Sequence, residues 1–418
     1  MSPLPHAPTE LTSADTTLRA QYLDEVLGLL YPESGDDGAV LASYIAIPDA
    51  RKPKLLVPAA DRRIAAAAVA RYAEPTSRAA QAKRRAAIVA LRTGADRVLL
   101  RDRITVTGRS GCTADSIDSY LAKVLGGALS ISVHIGPARA NRKPVIQLIS
   151  ADGQTIGFGK IGVGPLTQEL VRAETRALTT MSQAELPGVT VPRVLHAGVW
   201  RGHEILVQSA LPVWAPRTKL STKRLTAAMH EVARSAGTHT GPLAADVYWK
   251  TLRTRLDALT DGGLRSDGSD PAGEARSLAL AADELVARGG DTELTYGSWH
   301  GDWSPWNMAT TGGGLLLWDW ERFTQGVPLG FDAIHFDLQR LLTRGIEPDI
   351  AVDTTVGRAD RLLAPFDIEP EAATLTALLY LVDLAARYLA DRQAEAGARL
   401  GVLGSWLLPV LMGKVAGL

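Results

Sequence analysis

The sequence predicts an α+β protein of more than one domain, with an antiparallel sheet before residue 211 and mainly helices after it. The chain has 418 residues, and single domains typically take about 100–200. Apolar residues alternate over several successive strands in the first part and recur at helical spacing in the second. A run of strands followed by a run of helices is typical of the α+β class.

The composition is that of a folded protein without overall charge. Hydrophobic residues make up 46% and charged residues 22%, close to globular averages, which excludes a disordered or fibrous chain. Forty-five Lys and Arg residues balance forty-five Asp and Glu residues. This balance disfavours non-specific nucleic-acid binding, so we expect no nucleic acid among the partners.

Cysteine content and the two ends of the chain indicate the compartment. Cys112 has no second cysteine for a disulfide, and the first twenty residues are polar and rich in proline, unlike a signal peptide. We therefore expect a cytoplasmic protein. The apolar residues 401–418 are interrupted by Pro409 and Lys414, so we expect a buried terminal helix and no membrane contact.

Residues 1–120 have the pattern of a small α+β unit without residues typical of a chemical site. Two apolar runs flank a Pro-Asp-Ala-Arg-Lys-Pro turn and predict a hairpin over Val40–Val57. We predict an N-terminal α+β cap domain that packs on the sheet of the following residues. Its other predicted elements are the helices Thr17–Leu30, Ile64–Tyr72 and Ser77–Thr93 and the strands Arg97–Leu100 and Ile104–Val106.

Residues 121–211 and 212–418 form two further predicted domains. In the first, a β-β-β-α-β-β order predicts a five-stranded antiparallel sheet and one helix. These elements are Leu129–Ile135, Val145–Ile149, Thr155–Val163, the helix Leu166–Met181, Arg193–Trp200 and His203–Gln208. The predicted helices of the second are Lys223–Thr238, Ala245–Leu259, Glu274–Arg288, Pro370–Ala390 and Gln393–Leu400.

One stretch between the predicted helices gathers polar side chains of a single chemistry. It reads WHGDWSPWNMATTGGGLLLWDWE, with His300, Asp302 and Asn307 in a loop and Asp319 at the end of a short strand. Mg²⁺ requires oxygen ligands and usually binds one or two carboxylates beside substrate phosphates. A further carboxylate can accept a proton from a hydroxyl nucleophile. Together these groups are the parts of a phosphoryl-transfer site.

The octet HGDWSPWN resembles the catalytic loop, H-x-D-x-x-x-x-N, of the aminoglycoside phosphotransferase and choline kinase family. The resemblance covers residues 125–418 and implies a bilobal protein-kinase-like fold, with the five-stranded sheet as one lobe and the helices as the other. It also implies an enzyme that uses ATP and Mg²⁺ to phosphorylate a small molecule. By this resemblance Asp302 is the catalytic base, His300 braces the loop, and Asn307 and Asp319 bind the metal.

The resemblance also implies a lysine on the third strand of the sheet and a glutamate on the next helix, and the sequence has both. Lys160, in GFGKIG, is expected to contact the α- and β-phosphates. Glu174 is expected to hold Lys160, with Glu169 as a rival on the same helix. The segment Gln208-Ser209-Ala210 falls at the hinge between the lobes, where its backbone is expected to bind the adenine.

Further side chains near the motif are candidates for substrate contact. Trp303 and Trp306 lie inside the loop and could stack on an acceptor, while Glu321 could assist the metal or the acceptor. Basic residues in segment 136–144, which has no glycine-rich motif, could face the phosphates. The remaining aromatic, histidine and acidic residues nearby are expected to be structural: Trp299, Trp318, Trp320, His196, His335, Asp332 and Asp337.

Two other functions fit parts of the sequence. A nucleotide-binding pseudokinase or scaffold, whose N-terminal domain binds a partner, stays open, although every catalytic position is filled. A protein kinase is disfavoured, because the chain runs from Asp319 to Pro328 and further helices without room for an activation segment. The acceptor stays open among aminoglycosides, sugars and amino alcohols, as do the oligomeric state and the choice between ATP and GTP.

Overall fold

The computed structural model describes residues 13–32, 34–71, 77–108, 115–136, 142–260, 271–391 and 406–416. Its helices are α1 Ser13–Leu30, α2 Arg62–Arg71, α3 Arg78–Thr93, α4 Asp96–Leu99, α5 Ile117–Leu125, α6 Pro165–Met181, α7 Thr222–Arg234, α8 Val247–Thr260, α9 Pro271–Gly289, α10 Phe331–Thr343, α11 Pro348–Val356, α12 Ala359–Leu363, α13 Pro370–Ala390 and α14 Leu407–Ala416. Its strands are β1 Ser34–Ile47, β2 Leu55–Pro58, β3 Arg103–Gly108, β4 Leu129–His134, β5 Val145–Ser150, β6 Thr155–Gly162, β7 Val189–Thr190, β8 Val194–Trp200, β9 His203–Ser209, β10 His239–Pro242, β11 Glu293–Trp299, β12 Met308–Thr311, β13 Gly314–Leu317 and β14 Thr324–Pro328.

The largest sheet is larger than the sequence predicts. It has eight strands in the order β3-β1-β2-β4-β5-β6-β9-β8, and neighbouring strands are antiparallel. The five strands expected in residues 121–211 are adjacent in it. They do not form a sheet of their own, because β2 pairs with β4 through Leu55↔His134 and Leu56↔Val133. The N-terminal residues therefore extend the sheet by three strands, and the domain boundary at residue 120 stays a prediction.

Helices from the N-terminal residues cover both faces of this sheet. Tyr44 and Ala46 of β1 belong to one buried apolar core, whereas Ile45 between them belongs to another, because successive side chains of a strand point to opposite faces. The two cores hold the N-terminal helices and the strands of residues 129–207 together. The first includes Leu30 of α1, Leu121 of α5, Ile131 and Val207, and the second includes Ile64 of α2, Leu91 of α3 and Ile149.

The predicted strand Arg97–Leu100 is wrong, since these residues lie in and directly after the short helix α4. Asp96 is buried and its carboxylate pairs with Arg103 at 2.6 Å. The backbone N–H of Leu100 donates to the carbonyl oxygen of Asp96 at 2.8 Å. A strand needs a neighbour for its backbone groups, whereas a helical turn satisfies them locally. The apolar run was too short for the sequence pattern to separate these two outcomes.

The helices of the second part differ from the prediction at two points. Helices α10, α11 and α12 have no counterpart among the predicted ones, because polar residues buried in α10 break its apolar pattern. The helix predicted to reach Thr238 ends at Arg234, since Gly237 adopts a left-handed φ of 86° and β10 follows. The predicted helix Gln393–Leu400 lies outside the described residues.

Helix α13 is the centre of the helical part. It packs against α8, α9, α10 and α14, and its buried side chains run from Ala373 to Ala386. It is long and apolar enough to cross a membrane by length and composition, and 72% of its most apolar window is buried inside the fold. The predicted terminal helix is α14, whose Leu407 and Leu411 are fully buried.

Two small sheets fix the loop that carries the sequence motif. The loop runs from β11 to β12, and β11 pairs with β10 and β14. The strands β12 and β13 form a hairpin, and β13 pairs in parallel with β7 through Leu315↔Val189. Both ends of the loop are therefore held by hydrogen-bonded strands.

We predict that a chain shortened to residues 119–418 is insoluble or far less stable than the full chain. Removing β1 and β2 exposes the edge of β4 and side chains such as Ile131 and Val133, each of which contributes about 1.5–3 kcal/mol when buried. An exposed apolar sheet edge also favours aggregation. Size-exclusion chromatography and thermal unfolding of the two chains test this. A shortened chain that stays monomeric and melts with the full chain would contradict it.

Candidate active site

Lys160 joins three separate elements through one buried ammonium group. It lies on β6, and its Nζ is 2.6 Å from both carboxylate oxygens of Glu174 on α6. The same Nζ is 2.7 Å from Oδ1 of Asp319, which follows β13. The rival Glu169 is instead exposed and pairs with Arg172 and Arg176 on its own helix.

The opposite charges of Lys160 and its two carboxylate partners shift the pKa values of all three groups. Burial by itself would lower the pKa of Lys160, but the carboxylates of Asp319 and Glu174 outweigh it and raise this pKa. Burial likewise acts to raise the pKa of Asp319, and the ammonium of Lys160 turns this into a strong net lowering. Burial raises the pKa of Glu174, with Lys160 opposing it. The site therefore holds an ammonium ion against the carboxylate of Asp319.

Asp319 sits in a backbone conformation that few residues adopt. Its φ is 71° and its ψ 57°, in the left-handed region, and a short 3-10 turn, Trp320–Arg322, follows. Asp is one of the residue types that tolerate this region. The turn ends β13 sharply and brings the Asp319 carboxylate, which is 33% exposed, to Lys160.

His300 braces the loop from inside. Its ring is fully buried, and burial lowers its pKa to about 4, so the imidazole is neutral. Its Nδ1 accepts the backbone N–H of Asp302 at 3.2 Å, which leaves Nε2 to donate to the carbonyl oxygen of Trp318 at 3.1 Å. The ring thus joins the loop to the end of β13.

Asp332, expected to brace the helices, binds the loop instead. Its carboxylate accepts the backbone N–H groups of His300 and Gly301 at 2.7 and 3.2 Å. Gly301 has a φ of 83°, and a side chain there would meet the carbonyl oxygen of Arg322 at 2.2 Å. Only glycine fits this position, so the backbone of the loop can pass this close to Arg322 only with glycine at residue 301.

The carboxylate of Asp302 is held on both oxygens. Oδ2 accepts the amide Nδ2 of Asn307 at 2.8 Å, and Oδ1 lies 3.2 Å from Nε2 of His335. Burial acts to raise the pKa of Asp302, but the hydrogen bond from His335 opposes it, and the net effect is a lowered pKa. Asp302 is therefore an ionised carboxylate, and 32% of its side chain is exposed.

Asn307 and Asp319 suit a divalent cation by chemistry and placement. The hairpin pairs Met308 with Leu317, and the N–H of Trp318 donates to the carbonyl oxygen of Asn307 at 3.1 Å, so both residues lie at the same hairpin end. The amide nitrogen of Asn307 is committed to Asp302, which leaves its oxygen for a cation. Carboxamide and carboxylate oxygens are ligands that Mg²⁺ prefers.

Glu321 lies beside the same acidic residues. Its buried carboxylate pairs with Lys143, which precedes β5, and the expected contact with the metal or the acceptor stays a prediction. One carboxylate oxygen each of Glu174, Asp319 and Glu321 lie within 4.8 Å of one another. Glu321 thus extends the acidic group around Lys160 and ties the segment before β5 to it.

The hinge segment offers fewer donors than the sequence suggested. The N–H of Ser209 donates to the carbonyl oxygen of Arg193 at 2.8 Å, and that of Ala210 donates to Ile156 at 3.2 Å. These two groups are used because β9 lies between two partner strands, and Gln208 itself is buried. These two N–H groups are therefore occupied, and the expected adenine contact through the backbone of residues 208–210 stays a prediction.

An apolar cluster lies beside the hinge. Leu211, directly after the hinge, packs with Ala309 of β12 and Leu316 of β13. Val213 and Trp318 cover its margin. The partly buried Val213 and Trp318 therefore form an apolar surface between the hinge and the β12–β13 hairpin.

The tryptophans of the loop have opposite environments. Trp303 is fully buried and packs edge-on against His300 with ring centroids 6.0 Å apart, so the expected substrate contact of Trp303 is wrong. Its neighbours in the sequence gave no sign of this, because a loop residue is exposed more often than not. Trp306 is 50% exposed and free to meet a ligand.

Two residues that sequence reasoning missed complete the site. His335, expected to be structural, contacts Asp302. Arg387 on α13 donates to the carbonyl oxygen of Gly301 at 2.5 Å. Both lie far from the motif in the sequence and reach it through the packing of α10 against α13, which no local pattern reports.

Comparison with known proteins gives structural neighbours only. No family model matches the sequence, and no curated protein matches it. The chain is similar to a thermostable mutant of the aminoglycoside phosphotransferase APH(4)-Ia in complex with ADP and hygromycin B, with a TM-score of 0.46 and 12% identity over 72% of this chain and 98% of that chain.

Two further solved structures are of related kinds. The choline kinase LicA from Streptococcus pneumoniae has a TM-score of 0.47 and 15% identity over 72% of this chain and 98% of its own. A putative fructosamine-3-kinase from Haemophilus somnus 129PT has a TM-score of 0.42 and 15% identity over 72% and 96%. At these TM-scores the likeness concerns the general arrangement of elements, and the function proposed below rests on the side chains of the site.

We predict that Lys160→Met lowers the free energy of unfolding by about 3–5 kcal/mol, because Glu174 is then left buried without a cation. Adding Glu174→Gln removes that unpaired charge, so the double variant should lose less than the sum of the single losses. Urea unfolding of the wild type, the two single variants and the double variant measures this. The control is Lys250→Met, at an exposed lysine. Additive losses, or a Lys160→Met as stable as the control, would contradict the buried pair.

Proposed function

We propose that this protein is a small-molecule kinase, which transfers the γ-phosphoryl group of ATP to a hydroxyl group in a reaction that requires Mg²⁺. One observation carries the proposal. Asn307 is hydrogen-bonded to the ionised Asp302, and the Lys160 ammonium is bonded to Asp319. A backbone hydrogen bond from Trp318 to Asn307 places these two pairs at one end of the same hairpin. These are a base, a cation site and a phosphate-binding charge, the parts that phosphoryl transfer requires.

Each residue has a role that follows from its contacts. Lys160 binds the α- and β-phosphates, and Glu174 keeps its ammonium in place. Asp302 accepts or orients the proton of the acceptor hydroxyl, since it is ionised and partly exposed. Asn307 and Asp319 hold Mg²⁺, which supplies positive charge to the phosphate oxygens when bound. The apolar surface between the hinge and the β12–β13 hairpin supports the base of the nucleotide.

The segment after Asp319 favours a small acceptor. Residues 320–330 contain only the 3-10 turn, the strand β14 paired with β11, and a tight turn into α10. None of them extends as a platform on which a peptide could lie. The exposed Trp306 could stack on a sugar or contact a cationic amine, which suits an acceptor of the aminoglycoside, sugar or amino-alcohol type. We propose a cytoplasmic location for this reaction.

A screen of acceptors tests the proposal. The full chain, ATP and Mg²⁺ are incubated with panels of aminoglycosides, sugars and amino alcohols, and mass spectrometry detects an added phosphoryl group. A product that forms only with Mg²⁺ supports the proposal. A protein that binds ATP tightly but phosphorylates no hydroxyl compound, and releases no ADP, would favour the pseudokinase instead.

We predict that Asp302→Asn lowers kcat by about 10²–10⁴-fold, the range for loss of a general base, and changes the ATP dissociation constant little. The carboxylate of Asp302 contacts Asn307 and His335 and not Lys160, so the phosphate-binding charge remains. Steady-state kinetics and calorimetry of ATP binding separate the two quantities. Asp360→Asn, an exposed residue on α12, is the control. Weakened ATP binding with full kcat would show that the roles of Asp302 and Asp319 are exchanged.

A further inference from the structure

A chain of buried hydrogen bonds leads from the middle of α13 to Asp302. The hydroxyl oxygen of Tyr380 lies 2.9 Å from Nδ1 of His335, and Nε2 of His335 lies 3.2 Å from Oδ1 of Asp302. Tyr380 and His335 are buried, whereas Asp302 is partly exposed. The chain therefore reaches Asp302 from inside the helical part and leaves the outer side of the carboxylate open.

The direction of each hydrogen bond follows from the carboxylate. An ionised carboxylate only accepts hydrogen bonds. Nε2 of His335 therefore carries the hydrogen atom and donates a hydrogen bond to Asp302. Burial lowers the pKa of His335, and the ring is neutral with this single N–H. Its Nδ1 is then an acceptor, and the Tyr380 hydroxyl donates to it. Tyr380 thus fixes the ring, and the ring fixes the carboxylate.

The two helices that supply this chain also hold the backbone of the loop. On α10, Asp332 binds backbone N–H groups of the loop one turn before His335. On α13, Arg387 lies two turns after Tyr380 and donates to the carbonyl oxygen of Gly301. The helical core therefore fixes both the main chain of the loop and the orientation of its one carboxylate.

His335 has a role that Asn307 cannot replace. Among the described residues, the side-chain donors to the Asp302 carboxylate are His335 and Asn307. Asn307 bonds through Nδ2 to Asp302, and in the proposed function its oxygen would also bind the cation. The hydrogen bond from His335 comes instead from a buried helix and depends on no ligand.

We propose that His335 is a positioning residue, which with Tyr380 orients the Asp302 carboxylate toward the hydroxyl that is phosphorylated. This inference rests on the proposed function. Without His335 the carboxylate keeps only its contact with Asn307 and can turn away from the acceptor. A displacement of about 1 Å at a reacting group can cost about 10²-fold in rate, so the effect falls on kcat and not on nucleotide binding.

Two substitutions at His335 separate positioning from a structural role. In His335→Gln the terminal amide nitrogen reaches the place of Nε2 and can still donate to Asp302. In His335→Asn the shorter side chain places its amide near the position of Nδ1 and cannot reach Asp302. Both put a neutral amide of similar polarity in the same buried position. The assay on the full chain measures MgATP affinity by calorimetry and the rate of ADP release at saturating MgATP, with water or a screened acceptor.

We expect His335→Asn to lower kcat by about 10–100-fold and His335→Gln to recover most of it, while KM and the dissociation constant for MgATP stay within about twofold. Tyr380→Phe should lower kcat less than His335→Asn. The matched control is Tyr120→Phe, which removes a hydroxyl that lies 2.8 Å from Nε2 of His196, away from the loop, and should leave kcat unchanged. Equal rates for the Gln and Asn variants, with equal thermal stability, would overturn the proposal.

An independent readout keeps the two proposals apart. The ¹⁵N spectrum of the histidine side chains, assigned with His335→Gln, should show His335 neutral and protonated on Nε2 at neutral pH. Protonation on Nδ1, or a charged ring, would overturn the positioning chain whatever the activity. A wild-type protein that binds no MgATP but shows the expected ring would instead contradict the proposed function and leave the hydrogen-bond chain standing.

Discussion

The ammonium group of Lys160 fixes the geometry of the whole site. Its three N–H donors meet two oxygens of Glu174 and one of Asp319, so the sheet, α6 and the end of β13 are joined at one atom. Taking such charges out of water costs several kcal/mol per ion, and only close pairing offsets this. Because Glu174 is fully buried, water cannot substitute for Lys160. The position of the Asp319 carboxylate depends on this contact.

The same contact defines how the site can work. Lys160 has no further N–H to offer while it holds both carboxylates. In the proposed function Lys160 keeps Glu174 and turns its third N–H from Asp319 to a phosphate oxygen, and Asp319 then faces the cation. The side chain of Asp319 is 33% exposed, whereas that of Glu174 is fully buried. Asp319 is therefore the partner of Lys160 that a phosphate oxygen can replace. Binding of the phosphates and of the cation should therefore depend on each other.

The eight-stranded sheet gives this arrangement a firm base. Lys160 lies on β6, between β5 and β9, and the sheet continues through β4 to the three N-terminal strands. Helices α1 and α5 cover one face, and α2 and α3 the other. The N-terminal residues thus extend the sheet in which β6 carries Lys160, although they supply no residue to the loop.

The sequence predicted those features that local patterns encode. The strands of residues 129–209 and the long helices follow apolar periodicity, and the HGDWSPWN octet marks the loop because its chemistry is local. Features that depend on packing were not predictable. Two of them are contacts between residues far apart in the sequence: Glu321 pairs with Lys143, and His335 contacts Asp302. A third is the burial of Trp303, which depends on the residues packed around it. The pairing of β2 with β4 was likewise not predictable, because the apolar pattern of a strand does not show which strand it pairs with.

Calorimetric titration of the full chain with ATP, with and without Mg²⁺ at one ionic strength, tests the central claim most directly. If Lys160 must release Asp319 for a phosphate to bind, the cation has to satisfy that carboxylate. ATP should then bind about tenfold or more tightly with Mg²⁺, a difference of about 1.4 kcal/mol, and Asp319→Asn should remove the dependence. Equal affinity with and without Mg²⁺, or no binding of ATP at all, would contradict the account.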